Sequence, residues 1–135
     1  MKTSVLLAGL LALASCGPSE EVLEARRVAR AIDLVRDAPN DPVSGRKALL
    51  EKLEAEPIKG AVALAAREAC AKAYRPFVEG QELEAHVRAK LGGPPEELDP
   101  SVLAALAGAE AKLGEAKAAM PECDRALHDL KHKYR

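Results

Sequence analysis

The apolar residues that follow Asp99 keep a seven-residue spacing to the end of the chain. The first set of positions is Leu106, Leu113, Met120, Leu127 and Tyr134, and the second is Val102, Ala109, Ala116, Cys123 and Leu130. This spacing is typical of a helix that packs lengthwise against another helix. Asp99 and Pro100 form a start signal, because Asp is a favoured N-cap and proline suits the first helical position. We therefore predict one helix from Pro100 onward, with a kink at Pro121, where the spacing does not change phase.

A second long helix is predicted over residues 58–91, and the glycines and prolines at 92–95 end it. Its heptad positions are Val62, Ala66, Cys70, Ala73, Phe77, Gly80, Val87 and Leu91. Pro76 removes one helical hydrogen bond and Gly80 weakens the helix further. A break into two helices at Pro76 is the alternative to one kinked helix.

Two shorter helices are predicted before residue 58. The first begins after Ser19, carries an apolar stripe and ends at the segment 37–42. The second begins with Asp41 as its cap and Pro42 as its first residue, and it ends at Glu56 because Pro57 follows. The stripe of the first helix is Val22, Ala25, Val28, Ala29, Ile32 and Val35, and that of the second is Leu49, Leu50 and Leu53. Since β-branched residues are otherwise sparse, we expect an all-α bundle of about four helices.

A turn over residues 92–98 folds the two long helices into an antiparallel hairpin, on which the bundle is built. This register places large residues opposite small ones, such as Leu113 opposite Gly80. The same register, which follows from the turn and does not depend on the cysteines, also places Cys70 level with Cys123. In an oxidising compartment two such thiols form a disulfide. The alternative, a redox-active pair, lacks a CxxC motif and a helix start that would lower a thiol pKa.

The first sixteen residues have the features of an export signal. Lys2 precedes an apolar run at 5–14 that is too short to span a bilayer, and the run ends in Leu13-Ala14-Ser15-Cys16. This motif resembles the lipobox of bacterial lipoproteins. The resemblance implies a signal peptide over residues 1–15, a lipid on Cys16, and acylation of the new N-terminus by a fatty acid such as palmitate. The alternative is an ordinary secretory signal, which would leave Cys16 as a free thiol.

The resemblance also implies a location in the cell and a domain organisation. Residues 16–19 would form the lipidated N-terminus with a short tether, and residues 20–135 a single helical domain close to the membrane. Gly17 is not the aspartate that retains lipoproteins in the inner membrane of enteric bacteria. We therefore expect the periplasmic face of the outer membrane within the cell envelope.

Few residues suggest chemistry. Asp124, His128 and His132 have a spacing compatible with metal binding, but all three lie off the apolar stripe, and His86 belongs to the far end of the hairpin. We interpret this segment as a solvated basic helix end, with metal binding as the weaker alternative. The serines after residue 16 fall at predicted helix starts, and the chain has no glycine-rich phosphate loop. We therefore expect neither a cofactor nor an enzyme.

The charge balance also excludes a class of partners. A formal net charge of −1 does not favour nucleic acid as a partner. The leading hypothesis is a lipid-anchored helical interaction or assembly module that binds another envelope protein. In its size, its lipobox and its two-cysteine helical composition the chain resembles the pilotins of secretion systems. The alternatives are a structural lipoprotein that self-associates as a homo-oligomer, and a metal-binding protein that uses His128 and His132.

Overall fold

The computed structural model describes residues 17–92 and 99–135, which form an all-α bundle of four helices. The helices are α1 (Glu20–Asp37), α2 (Val43–Ala55), α3 (Ala61–Leu91) and α4 (Pro100–Lys133). The predicted all-α bundle is confirmed. The signal peptide, Cys16 and most of the turn between α3 and α4 lie outside the described residues, so those predictions stay predictions.

Two of the predicted helix starts are confirmed by their caps. The Ser19 hydroxyl accepts a hydrogen bond from the amide of Val22 at 3.3 Å, and the Asp99 carboxylate accepts one from Ser101 at 2.9 Å. These bonds satisfy amides that have no partner inside the helix. The start of α2 differs from the prediction, because Pro42 has an extended backbone (ψ 143°) and is itself the N-cap. The helix therefore begins one residue later, at Val43.

The start of α3 is held by a side chain from another helix. The Glu24 carboxylate of α1 accepts hydrogen bonds from the amides of Lys59 (2.9 Å) and Gly60 (2.8 Å). These two bonds keep the pKa of Glu24 below its ordinary value. The segment before Gly60 is thus fixed against α1, and α3 begins at Ala61 rather than at the predicted residue 58.

The helix α3 continues through Pro76 to Leu91 without interruption. The alternative of two helices that break at Pro76 is therefore wrong. Pro121 likewise lies inside the continuous helix α4, as predicted. In both helices the loss of one backbone hydrogen bond is outweighed by packing on either side of the proline.

The packing of α4 against α3 uses the second heptad set. Its five members are all buried: Val102, Ala109, Ala116, Cys123 and Leu130. Of the first set only Leu127 is buried, while Leu113 is partly exposed and Leu106 is 51 % exposed. The seven-residue period is confirmed, but the two sets are not buried to the same extent. The smaller residues face α3 because they allow close approach, so the larger ones lie at the edge of the interface.

The predicted register of the hairpin is confirmed. Cys70 and Cys123 form a disulfide, with their Cα atoms 4.4 Å apart. Gly80 faces Leu113, since a Cβ atom added at position 80 would lie 2.9 Å from Leu113 Cγ. The absence of a side chain at Gly80 therefore makes room for the leucine.

The two shorter helices cover only part of the hairpin. Their buried residues join the first half of α3 and the last part of α4 in one core, which along α3 extends from Ala63 to Val78. Beyond it, residues 83–91 of α3 and 100–110 of α4 form an extension that we call the arm. Val87 and Val102 are buried in the arm but lie outside that core. The arm is therefore a two-helix segment at one end of the bundle.

Gly80→Ala tests the close approach of α3 and α4. Alanine is about 1 kcal/mol better than glycine inside a helix, yet the added methyl group would meet Leu113 Cγ at 2.9 Å and the Ala109 carbonyl oxygen at 3.3 Å. We expect a lower free energy of unfolding in urea. The loss should shrink when Leu113→Ala is present as well, because the two residues touch.

Gly114→Ala is the matched control, because no atom lies within 4 Å of a Cβ atom built there. This substitution should stabilise the protein by up to about 1 kcal/mol. If Gly80→Ala stabilised the protein equally, the described contact between α3 and α4 would be wrong.

Candidate functional site

The two paired cysteines lie between α3 and α4, in the half of the hairpin away from its turn. Cys70 is 0 % and Cys123 1 % exposed, so their sulfur atoms are shielded from an attacking thiolate. A disulfide in this position joins α3 to α4 and has no access for redox exchange. The structure therefore favours the structural role over the redox alternative.

The histidines at the end of α4 face solvent. The rings of His128 and His132 stack with their centroids 6.1 Å apart, and Asp124 is exposed on the same helix. Nearby, the Lys131 ammonium pairs with Asp33 of α1 at 2.8 Å. Among the residues that the structure describes, no group of three or more His, Cys, Asp or Glu side chains is placed to hold a metal ion.

A groove of about 520 Å³ runs between α3 and α4 on the side that α1 does not line. Its basic side chains are in part neutralised: Arg75 pairs with Glu54 at 2.5 Å, and Lys112 pairs with Glu79 at 2.8 Å. Charges that compensate each other in this way do not concentrate an anionic ligand. We therefore do not assign a binding role to this groove.

Arg46 is a buried cation that the sequence reasoning missed. Only 4 % of the residue is exposed, and burial lowers the pKa of its guanidinium. It donates hydrogen bonds to the Val35 carbonyl oxygen (3.1 Å), to the Ala38 carbonyl oxygen and to Asn40 Oδ1 (2.9 Å). The two carbonyl groups belong to the end of α1, where the helix leaves its acceptors unpaired and the dipole favours a cation. Arg46 therefore caps α1 from the first turn of α2.

The same guanidinium connects these helices to α3. It donates to Gln81 Oε1 at 2.9 Å and lies 5.0 Å from the centre of the Phe77 ring. Gln81 in turn donates to Asn40 Oδ1 at 3.1 Å. One signal in the sequence could have revealed this cluster: Arg46 lies on the apolar face of α2, four residues before Leu50. A charged residue at such a position requires buried partners.

Arg46→Lys tests whether this cluster holds the three helices together. A lysine keeps the charge, but its single ammonium lacks the planar fork that reaches acceptors on both α1 and α3. We expect the free energy of unfolding in urea to fall by about 1–3 kcal/mol, the usual cost of unsatisfied buried polar groups.

Arg30→Lys, an exposed change on α1, is the matched control for Arg46→Lys and should alter stability by less than about 0.5 kcal/mol. Equal stability of the two variants would contradict the capping role of Arg46.

Three leucines of the arm are exposed. Leu91 is 61 %, Leu103 56 % and Leu106 51 % exposed. Leu106 belongs to the same heptad set as Leu127 and Tyr134, which pack into the core that contains α1. The apolar edge of α4 is thus covered by α1 at one end of the hairpin and uncovered on the arm.

Comparisons with known proteins add no family to this picture. No protein-family model, no curated protein and no solved structure matches the chain. Over the described residues, the structure contains no helix with the length and apolar character needed to cross a membrane.

Proposed function

We propose that the protein is a lipid-anchored envelope lipoprotein that acts as a non-enzymatic helical module and binds another envelope protein. The anchor would be a lipid on Cys16 at the periplasmic face of the outer membrane. The observation that carries the binding role is the exposure of Leu91, Leu103 and Leu106 on the arm. Leu103 and Leu106 are three residues apart on α4 and are therefore neighbours on its surface, and neighbouring exposed apolar side chains commonly mark interaction sites.

The proposed anchor and the arm would lie toward opposite ends of the hairpin. The motif Leu13-Ala14-Ser15-Cys16 supports lipidation, and α1 begins at Glu20, four residues after Cys16. The first turn of α1 contacts the last turn of α4, where the Tyr134 hydroxyl bonds to Glu21. The 31 residues of α3 span about 45 Å at 1.5 Å per residue, so the tip of the arm at Leu91 lies about that far from the start of α3.

The uncovered edge of α4 on the arm is suited to pack against a helix of the partner. Further along the hairpin, the edge residues Leu127 and Tyr134 pack into the same core as α1. A partner helix with an apolar stripe can continue this packing onto Leu106 and Leu103. Because Val87 and Val102 are buried within the arm, its two helices are already packed before a partner binds, and little conformational entropy is lost on binding.

Cys16→Ala tests the anchor. We expect the wild-type chain in the membrane fraction after a carbonate wash, and the variant in the soluble fraction, because the lipid has no other attachment point. Ser19→Ala, three residues away, is the control and should remain membrane-bound. If Cys16→Ala stayed in the washed membranes, the lipoprotein assignment would be wrong.

A double substitution, Leu103→Ser with Leu106→Ser, tests the arm. Affinity purification from solubilised envelopes should recover one stoichiometric partner with the wild type and lose at least about tenfold of it with the variant, since buried leucines contribute strongly to binding. Both leucines are half-exposed, so the fold should persist, which circular dichroism checks.

Ala111→Ser with Ala118→Ser is the control, because these exposed residues of α4 lie outside the arm. This control should retain the partner. Recovery of the chain alone, with self-association that the arm variant abolishes, would instead support the structural, self-associating lipoprotein.

A further inference from the structure

The outward face of α1 combines leucines with uncompensated arginines. From these residues we infer that α1 lies flat on an anionic phospholipid surface, with Leu23, Arg26, Arg30 and Leu34 against the headgroups. This inference rests on the proposed lipid anchor and adds the orientation of the domain on the membrane.

The two faces of α1 are distinct. Its inward stripe is buried against the other helices: Ala25, Val28, Ala29, Ile32 and Val35. At 100° per residue, Leu23, Arg30 and Leu34 fall on the opposite side of the helix. Leu23 is 44 % and Leu34 48 % exposed, and Arg26 and Arg30 are exposed as well. The outward face of α1 is therefore exposed to solvent from Leu23 to Leu34.

The positive charge on the outward face of α1 indicates what that face contacts. Arg27 is paired with Glu56 at 3.1 Å, whereas Arg26 and Arg30 take part in no ion pair within the described part of the chain. Two unpaired arginines between two exposed leucines fit an anionic lipid surface, where guanidinium groups meet phosphates and leucines enter the apolar boundary. The aliphatic stems of the arginines can lie along the same boundary.

The length of the tether places this face at the membrane. Three residues lie between Cys16 and Glu20, so the start of α1 is within about 14 Å of the lipid-bearing residue. Leu34 lies eleven residues beyond Leu23, about 16 Å along the helix. The anchor alone brings Leu23 near the surface, but Leu34 reaches it only if α1 lies parallel to the membrane. Position 34 is therefore the decisive probe.

The chain contains no tryptophan, so a single introduced indole reports one position without background. The experiment uses the full chain with Leu34→Trp, lipidated and reconstituted into vesicles of phosphatidylcholine and phosphatidylglycerol in equal parts. Brominated acyl chains quench an indole that enters the apolar boundary. We expect Trp fluorescence at position 34 to fall by about half or more, and that of the control Ala118→Trp, in the groove that α1 does not line, to remain.

Charge reversal tests the electrostatic part. Arg26→Glu with Arg30→Glu should restore the fluorescence at position 34, as should vesicles of phosphatidylcholine alone. Lys72→Glu with Lys117→Glu removes two exposed cations from α3 and α4 and is the matched control, which should leave the quenching unchanged.

The outcomes separate the anchor from the orientation. If the wild-type chain does not float with the vesicles in a density gradient, both the proposed lipid anchor and this inference are wrong. A chain that floats while position 34 stays unquenched overturns the orientation and leaves the anchor intact. Protection of position 34 from iodide without bromolipid quenching would show that protein, such as a second copy, covers the face, and this would also overturn the inference.

Discussion

The close packing of α3 against α4 is the interaction on which the rest of the structure depends. Many of the buried residues in this contact are small, such as Ala66, Ala73, Gly80, Ala109 and Ala116, so little area is buried per residue and the helices must approach closely. The Cys70–Cys123 disulfide holds this approach in register across 53 residues of chain. Closing a loop of that size removes entropy from the unfolded state equivalent to about 4 kcal/mol in the chain-entropy model. The hairpin thus provides the surface on which α1 and α2 pack.

The shorter helices are attached by polar groups at helix ends as much as by apolar contact. Glu24 supplies acceptors to the amides before α3, and Arg46 supplies donors to the carbonyls at the end of α1. In each case a charged side chain from one helix satisfies backbone groups that another segment leaves unpaired. These bonds fix where α1 and α2 stop along the hairpin, and therefore how much of the arm is left uncovered.

The long helices and their register could be predicted from the sequence, because a sustained period and strong caps are local signals. The heptad alone did not tell which of its two sets faces the partner helix. That choice depends on the size of the residues on α3, which set the distance between the helices. The start of α3 and the buried residues Arg46 and Glu24 were missed because their partners lie in other segments of the fold. The local pattern marks Arg46 only as a charged residue on an apolar face and does not identify those partners. The start of α2 was missed by one residue because Pro42 has an extended backbone and is itself the N-cap.

Because α1 packs on only one end of the hairpin, a protein anchored through α1 would respond to mechanical tension in a particular way. If Cys16 is anchored as proposed and a partner binds the arm, tension between the two would enter through α1 and leave through the hairpin. The disulfide joins α3 to α4, so it carries none of the load at the surface between α1 and the hairpin. That surface is held by Ala25, Ala29 and Val28 in the core, by the Lys131–Asp33 ion pair and by the Arg46 cluster. Under load the molecule would yield first where α1 peels from the hairpin, while the arm keeps its shape.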